Sequence, residues 1–287
     1  MEINRPMVTE NTRSLLLFLV IMTALSLVPT WSHATVFWDD EMEVFTGTRH
    51  GGSGATTGGF NPLPNFPDPN GVQPMTMDTA VKFRGAGSLR YDYTERCQIT
   101  DGSAGSQPCG GSTARNFPNA DEHYGRVYIR VSQNFQWGAS NGQTKIFGVR
   151  STTGLSKLWF NFYFGLGMIV SAENTPNNGS TSNIPINMTM PREQWVCFEW
   201  HIKANTPGVP NGLLDTWKDG VQTVSRNNIQ WRGSNNFSYL DYIHPYRQSG
   251  FGNLWFDRFA VGDTRIGCLG ATSDTTRPAQ PRELIIR

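Results

Sequence analysis

The chain has 287 residues, of which 38% are hydrophobic and 16% charged, and 24 basic and 23 acidic side chains give it a formal charge of +1. This balance excludes a nucleic-acid partner, because such proteins need a strongly basic surface. The length suffices for one large domain with a full hydrophobic core.

The N-terminal segment has the features of an export signal. Its apolar run, SLLLFLVIMTALSLV, follows a region containing Arg5 and Arg13, and Pro29 ends it. Ser32-His33-Ala34 supplies the small residues that a signal peptidase recognises. We interpret residues 1–34 as a cleaved signal, so that the protein is secreted, periplasmic or extracellular and has no membrane contact after cleavage. A permanent anchor is the alternative, but the run is barely long enough to span a bilayer.

Four cysteines in an exported chain indicate two disulfides rather than a thiol or zinc site. Cys97 and Cys109 lie within one Gly/Ser-rich loop, which leaves Cys197 and Cys268 for a long-range bond. Because a disulfide lowers the conformational entropy of the unfolded chain, the long-range bond would stabilise the fold by about 4.4 kcal/mol.

The remaining chain has the organisation of a β protein. Residues 46–76 are rich in Gly, Pro and Asn and predict a long surface loop without regular structure. Alternating segments follow at a spacing typical of a β-sandwich or jelly roll, and Asp219-Gly220 predicts a tight hairpin turn with positive backbone angles. Residues 271–287 have the Pro/Thr character of a linker, so the domain is expected over residues 35–270. The alternating segments are GSLRYDYT, YGRVYIRVSQNF, TKIFGVRS, KLWFNFYFGLGMIV, WVCFEWHIK, LLDTWKDGVQTV and NLWFDRFAVGDTRIG.

Alternation along each strand separates a core face from an outer face. In WVCFEWHIK the even-numbered residues from Val196 to Ile202 are apolar and predicted to pack in the core, while Glu199 and His201 point outward. The sequence does not show which sheet contains this strand, so outward means either a binding groove or the opposite convex surface. The other outward candidates are Arg126, Tyr128 and Arg130, then Gln143, Lys145 and Phe147, then Trp159, Asn161 and Tyr163.

Aromatic, cationic and amide side chains on neighbouring strands suit a sugar-binding groove, because aromatic faces stack on pyranose rings and polar groups hold hydroxyls and carboxylates. No strand has the closely spaced pair of carboxylates that a retaining glycosidase needs. A lyase needs a cation or amide that neutralises the uronate carboxylate, and a Tyr, His or Lys that moves the proton. For Arg126, a position on an ordinary solvated sheet face is an equally good interpretation. For His201, a structural, hydrogen-bonded role is as well supported as a catalytic one.

The order of FWDDEME, GAGSLRYDY, WVCFEWHIKANTPGVPNGLLDTWKDGV and LWFDRFAVGDTRIG resembles the concanavalin A-like lectin and glucanase superfamily, particularly its exported β-jelly-roll polysaccharide lyases, over residues 36–267. The resemblance implies an all-β fold of two antiparallel sheets, one of them curved into a groove. Lys145-Ile146-Phe147-Gly148 and the later Tyr163 are similar to the Lys-Leu-Pro-Gly segment and downstream tyrosine of alginate and glucuronan lyases, whose lysine and tyrosine are catalytic. The proline is missing here, and Trp159 and Asn161 stand where an arginine is expected. The superfamily also includes lectins and adhesion modules.

The resemblance further implies a structural calcium ion between the first and last strands. Asp40 or Glu41 would share this ion with Asp257, because carboxylate oxygens suit calcium. Capping of a turn by Asp257 is the alternative. The predicted reaction requires no cofactor.

The leading hypothesis from the sequence is a secreted, monomeric lyase that cleaves an acidic, uronate-containing polysaccharide by β-elimination. Lys145 or Gln143 would neutralise the carboxylate, and Tyr163 or His201 would exchange the proton. A non-catalytic carbohydrate-binding or adhesion module of the same fold is the alternative, and a purely structural surface protein is a third hypothesis. The candidates for substrate binding are Arg126, Tyr128, Trp159, Asn161 and Glu199.

Overall fold

Strands make up the regular structure of the described part of the chain, and no helix occurs in it. The fold class is therefore all-β, as the alternating segments predicted. The computed structural model describes residues 35–42, 45–46, 56–57, 61–62, 75–93, 113–114, 121–136, 143–151, 157–163, 167–173, 184–231, 237–247 and 252–270. Its strands are β1 (Val36–Asp40), β2 (Phe45–Thr46), β3 (Thr56–Thr57), β4 (Asn61–Pro62), β5 (Met75–Asp78), β6 (Ser88–Tyr93), β7 (Thr113–Ala114), β8 (Glu122–Val131), β9 (Gln143–Ser151), β10 (Lys157–Tyr163), β11 (Gly167–Glu173), β12 (Ile184–Pro185), β13 (Val196–Lys203), β14 (Gly212–Lys218), β15 (Val221–Ile229), β16 (Phe237–Arg247) and β17 (Gly252–Gly262).

Three features expected from the sequence lie outside the described residues. They are the signal (residues 1–34), the bond between Cys97 and Cys109, and the tail from residue 271. Within the described ranges, no helix has the length and hydrophobicity that crossing a membrane requires.

Two antiparallel sheets contain the long strands and pack as a sandwich. The eight-stranded sheet has the order β15-β14-β13-β8-β17-β6-β5, with β1 beside β17, and the seven-stranded sheet has the order β12-β11-β10-β9-β16-β7-β4. Strands β2 and β3 form a separate pair. Residues from both large sheets belong to one buried hydrophobic cluster, which lies between the sheets.

Large aromatic rings from both sheets meet at the centre of this core. Phe147 and Phe160 of the seven-stranded sheet stack with ring centroids 4.4 Å apart, and Phe147 lies 4.9 Å from Trp200 of the eight-stranded sheet. Trp200 packs so closely on Gly125 of β8 that a Cβ there would come within 1.9 Å of its ring. Aromatic contacts of this kind add about 0.5–1.5 kcal/mol each beyond the area they bury.

Local patterns predicted several elements correctly. The even-numbered residues from Val196 to Ile202 are all in the core, because a strand alternates strictly between its two faces. The hairpin between β14 and β15 is also confirmed, with positive φ angles of 50° at Asp219 and 83° at Gly220. Type I′ turns need such angles at both central positions.

Other expectations for the elements were wrong. The segment 46–76 contains the short strands β3 and β4 and the start of β5. The segment KLWFNFYFGLGMIV contributes to both β10 and β11, which pair antiparallel. Strand β16, the segment FSYLDYIHPYR, was not expected at all.

Candidate active site

The residues singled out from the sequence lie on opposite sides of the sandwich. Strands β9 and β10 belong to the seven-stranded sheet, and β8 and β13 to the eight-stranded sheet. On all four strands the intervening residues point into the shared core, so the candidates lie on two outer faces that are turned away from each other. They therefore do not converge in one groove as expected. One outer face has Lys145, Trp159 and Asn161, and the other has Arg126, Tyr128, Glu199 and His201.

Backbone pairing in the seven-stranded sheet places the lyase candidates on adjoining strands. Lys145 on β9 is the Cα partner of Asn161 on β10, and Gln143 is the partner of Tyr163. The side chains of Gln143 and Tyr163 are outside the described part, so register alone places these two residues. Four of the sequence candidates therefore occupy two rows of the sheet that are separated by the Thr144–Phe162 pair.

A β-bulge in β9 decides which residues accompany Lys145. The pairing between β9 and β10 skips Ile146, and the side chains of Ile146 and Phe147 are both fully buried in the core. The expectation that Phe147 shares the outer face with Lys145 is therefore wrong. A bulge inserts one residue and shifts the alternation beyond it, so Gly148 rather than Phe147 lies on the outer face.

Trp159 is buried although it points away from the core. Its side chain is 4% exposed, and its Cα partner is Gly148. A Cβ at Gly148 would come within 2.6 Å of the indole, so the ring needs a glycine beneath it. The Nζ of Lys145 lies 4.5 Å from the centre of the Trp159 ring, which is within the range of a cation–π interaction.

Asn161 provides a buried polar group beside Lys145. Its Nδ2 donates a hydrogen bond to Ser171 Oγ on β11, whereas its Oδ1 has no hydrogen-bond partner among the described residues. A buried amide oxygen without a partner marks a place where a ligand or a water is expected. Lys145 is partly exposed, and an ammonium group has three donors. This part of the sheet therefore combines a partly exposed cation with a buried hydrogen-bond acceptor on the adjoining strand.

Strand β16 adds tyrosines that were missed from the sequence. Tyr246 is the Cα partner of Lys145 on the side opposite β10, and Tyr242 is the partner of Gly148. The alternation in β16 is obscured because its register shifts three times along β9. The recurrence of tyrosine at positions 239, 242 and 246 was the available signal.

On the opposite face, Glu199 has a structural environment. Its side chain is 1% exposed, and its carboxylate accepts hydrogen bonds from Arg265 at 2.9 and 3.2 Å and from the Gly267 amide at 3.0 Å. Arg265 and Gly267 belong to residues 263–270, which we call the C-terminal strap. The disulfide between Cys197 and Cys268 attaches this strap to β13. A carboxylate covered and paired in this way is not available to a sugar.

The strap also covers Arg126 and Tyr128. The guanidinium of Arg126 is fully buried and donates to the Gly267 carbonyl at 3.3 Å. The Tyr128 hydroxyl donates to the Leu269 carbonyl at 3.2 Å, and Phe83 stacks on its ring at 3.7 Å. Burial raises the pKa of the Tyr128 hydroxyl. Both side chains are therefore covered and held by intramolecular contacts, and their role in substrate binding stays a prediction.

His201 is held between two carboxylates on the same outer face. Its Nδ1 lies 2.9 Å from Asp215 and its Nε2 lies 2.9 Å from Glu122, while Tyr124 stacks on the ring at 4.0 Å. Burial alone would raise the pKa of Glu122, but hydrogen bonds from Lys203 and His201 outweigh burial and lower the pKa. The imidazole belongs to a polar network on the side of the sandwich away from Lys145, so it cannot share a sugar unit with that lysine.

The acidic residues expected to bind calcium have other partners. Asp40 accepts a hydrogen bond from a backbone amide at 2.7 Å, Glu41 pairs with Arg258, and Asp257 accepts hydrogen bonds from two backbone amides at 2.8 and 3.2 Å. Within the described residues, the oxygens of the three carboxylates do not gather within 4.8 Å of one another. Calcium binding at this edge stays a prediction.

Comparison with known proteins adds a likeness of structure. No protein-family model matches the chain, and no curated protein matches it by sequence. An endo-β-1,4-glucuronan lyase from Trichoderma reesei is 16% identical, with 66% of this chain and 87% of that chain covered and a TM-score of 0.49. The cellulose-induced protein Cip1 is 16% identical, with 80% and 99% covered and a TM-score of 0.49. An alginate lyase from Aplysia kurodai is 13% identical, with 66% and 86% covered and a TM-score of 0.47.

These solved structures include the two kinds of lyase that the sequence resembles. At identities of 13–16%, such a likeness says nothing about the activity of this chain.

Proposed function

We propose that this protein is a polysaccharide lyase that cleaves a uronate-containing polysaccharide by β-elimination. Its site would be the outer face of the seven-stranded sheet around Lys145. The observation that supports this most is the pairing of Lys145, a partly exposed cation, with Asn161 on the adjoining strand, whose buried amide oxygen has no partner among the described residues. A uronate presents a carboxylate, which suits the partly exposed Lys145 ammonium, while the Asn161 amide, 0% exposed, lies beneath the surface.

The chemistry assigns a role to each group. β-Elimination removes the C5 proton of a uronate and breaks the bond between C4 and the glycosidic oxygen, which leaves a C4–C5 double bond and a new hydroxyl on the released sugar. Negative charge grows on the carboxylate as the proton leaves, and the Lys145 ammonium would stabilise that charge. Gln143 would hold the carboxylate with Lys145. Tyr163, in register with Gln143, is the proposed proton-transfer group, and Tyr246, in register with Lys145, is a second candidate for this role.

The proposal extends to location and assembly. We propose an exported monomer with an acidic polysaccharide as its partner. The Cys197–Cys268 disulfide supports export, because such bonds persist in oxidising compartments.

Product formation tests the function directly. Unsaturated products absorb in the ultraviolet, so the purified protein is incubated with alginate, glucuronan and other uronate polymers and the absorbance is followed. We expect Lys145→Ala to lower the rate by about 10²- to 10³-fold, as the loss of one group that stabilises transition-state charge does. Tyr163→Phe and Tyr246→Phe decide which tyrosine moves the proton, and the correct one should lower the rate by about 10²- to 10⁴-fold.

His201→Gln is the matched control on the opposite face. We expect its rate to equal that of the wild type once urea unfolding confirms that the variant is folded. Absence of product from every polymer, together with retention on the same polymers in an affinity gel, would contradict the lyase and favour the carbohydrate-binding module. Retention on none of them would leave only a structural role for this face.

A further inference from the structure

We infer that Trp159 positions Lys145 through a cation–π contact and does not stack on the sugar. This inference deepens the proposed function and rests on it for the role of Lys145, while the contact itself is a property of the unliganded protein. From the sequence, Trp159 was expected to line a sugar subsite.

The burial of the indole argues against stacking on a sugar. A stacking platform needs an open aromatic face, whereas the side chain of Trp159 is 4% exposed. The six-membered ring lies against Gly148, where no side chain larger than hydrogen fits. The Lys145 ammonium lies 4.5 Å from the ring centre. An indole with so little exposed area has no open face on which a pyranose could stack.

The β-bulge at Ile146 explains how the two residues meet. Lys145 and Gly148 are three positions apart on β9, and strict alternation would put them on opposite faces. Because the pairing skips Ile146, both residues lie on the outer face, and the indole that covers Gly148 also reaches Lys145. A long, flexible lysine side chain thereby gains a rigid aromatic partner, which restricts the positions of the ammonium.

The contact has a defined chemical purpose at such a site. An aromatic face attracts the charged ammonium without using any of its hydrogen-bond donors. The cation–π contact therefore does not itself compete with a carboxylate for the N–H groups of the ammonium. A carboxylate at the position of Trp159 would instead compete with the substrate for the same charge.

NMR of methylated lysines tests the contact without any need for activity. The chain has five lysines, so reductive methylation with ¹³C-formaldehyde gives few signals, and Lys145→Arg identifies that of Lys145. In the wild type we expect the Lys145 methyl signal to be shifted upfield by the ring current of the indole. The shift should disappear in Trp159→Leu and persist in part in Trp159→Phe. An unshifted signal in the wild type, or the same shift in Trp159→Leu, would overturn the inference.

Kinetics of the unmodified variants provide the second measurement. We expect kcat/KM on the cleaved polymer to fall by about 2- to 30-fold in Trp159→Leu, with Trp159→Phe in between because it keeps an aromatic face. Trp217→Leu is the matched control, because Trp217 makes a similar contact on the opposite sheet, with the Arg265 guanidinium 4.3 Å from its ring centre. This substitution should change neither the Lys145 signal nor the rate. Equal rates for Trp159→Phe and Trp159→Leu would contradict positioning through the ring. If the wild type forms no product but the NMR shift behaves as expected, the proposed lyase activity fails and the contact stands.

Discussion

Asp257 should make the fold less stable as the pH rises, and Asp257→Asn should remove this effect. The side chain is 0% exposed. Burial raises the pKa of its carboxyl group from 3.8 to about 6, although backbone hydrogen bonds from Phe83 and Arg84 and the charge of Arg258 act in the opposite direction. One carboxylate oxygen has no hydrogen-bond partner among the described residues. The folded protein therefore holds the proton more tightly than the unfolded chain does.

The sign and size of the effect follow from these two pKa values. Because the folded pKa is the higher one, the contribution of Asp257 is fully present below pH 3.8 and is lost as the pH rises through 6. At 1.36 kcal/mol for each pH unit, the total loss is about 3 kcal/mol. Asparagine carries no charge at any pH, and its side-chain oxygen can still accept the hydrogen bonds from the two backbone amides.

Urea unfolding followed by tryptophan fluorescence measures this difference. Wild type and Asp257→Asn are compared at unit steps from pH 4 to pH 8 in buffer with a calcium chelator. Relative to the wild type, the variant should gain about 2–3 kcal/mol in free energy of unfolding over this range. Because the comparison is between pH values, any constant cost of the substitution cancels.

Two results would refute this reasoning. Parallel curves for the two proteins would show that the carboxyl group has its ordinary pKa in the fold. A variant that loses stability relative to the wild type as the pH rises would show that the ionised carboxylate is stabilising. If that loss appears only when calcium replaces the chelator, the calcium ion expected from the sequence resemblance would be supported.

Two further predictions concern stability. Replacing Cys197 and Cys268 together by alanine should lower the free energy of unfolding by about 4 kcal/mol, because the bond closes a loop with a sequence separation of 71; an unchanged urea midpoint would contradict this. His123 is 2% exposed, and burial, assisted by the charge of His201, lowers its pKa to about 3. Its neutral form stabilises the fold above pH 6.5, and this stability is lost as the pH falls toward 3, at about 1.4 kcal/mol per pH unit. Between pH 6 and 4, His123→Gln should reduce the slope of the free energy of unfolding against pH by about 1.4 kcal/mol per pH unit. An equal slope in the wild type and the variant would show that the histidine is charged in the fold.

The sequence predicted well those features that depend on neighbours along the chain. A strand alternates with a period of two, so the core side of β13 from Val196 to Ile202 followed from hydrophobicity alone. The turn at Asp219 and Gly220 followed in the same way, because few residue pairs accept two positive φ angles. Lys145 and Asn161 were both placed on an outer face for the same reason.

Local patterns failed where one residue changes the alternation or where distant segments cover a surface. The bulge at Ile146 puts Phe147 in the core, and no residue in the segment TKIFGVRS predicts this bulge. Glu199 and Arg126 looked like surface groups, yet the C-terminal strap, far away in sequence, pairs with both. The pairing of β16 with β9 depends on contacts across more than 80 residues, so Tyr246 was not expected beside Lys145.

The sequence alone therefore determined that this is an all-β chain with alternating strands, and which side of β13 faces the core, because hydrophobic periodicity acts within each strand. Only the tertiary structure decided that Lys145 and Asn161 share one outer face while Glu199 and His201 lie on the other. The physical reason is that the face of a strand follows from its own residues, whereas the sheet it joins depends on hydrogen bonds with strands that are remote in the chain.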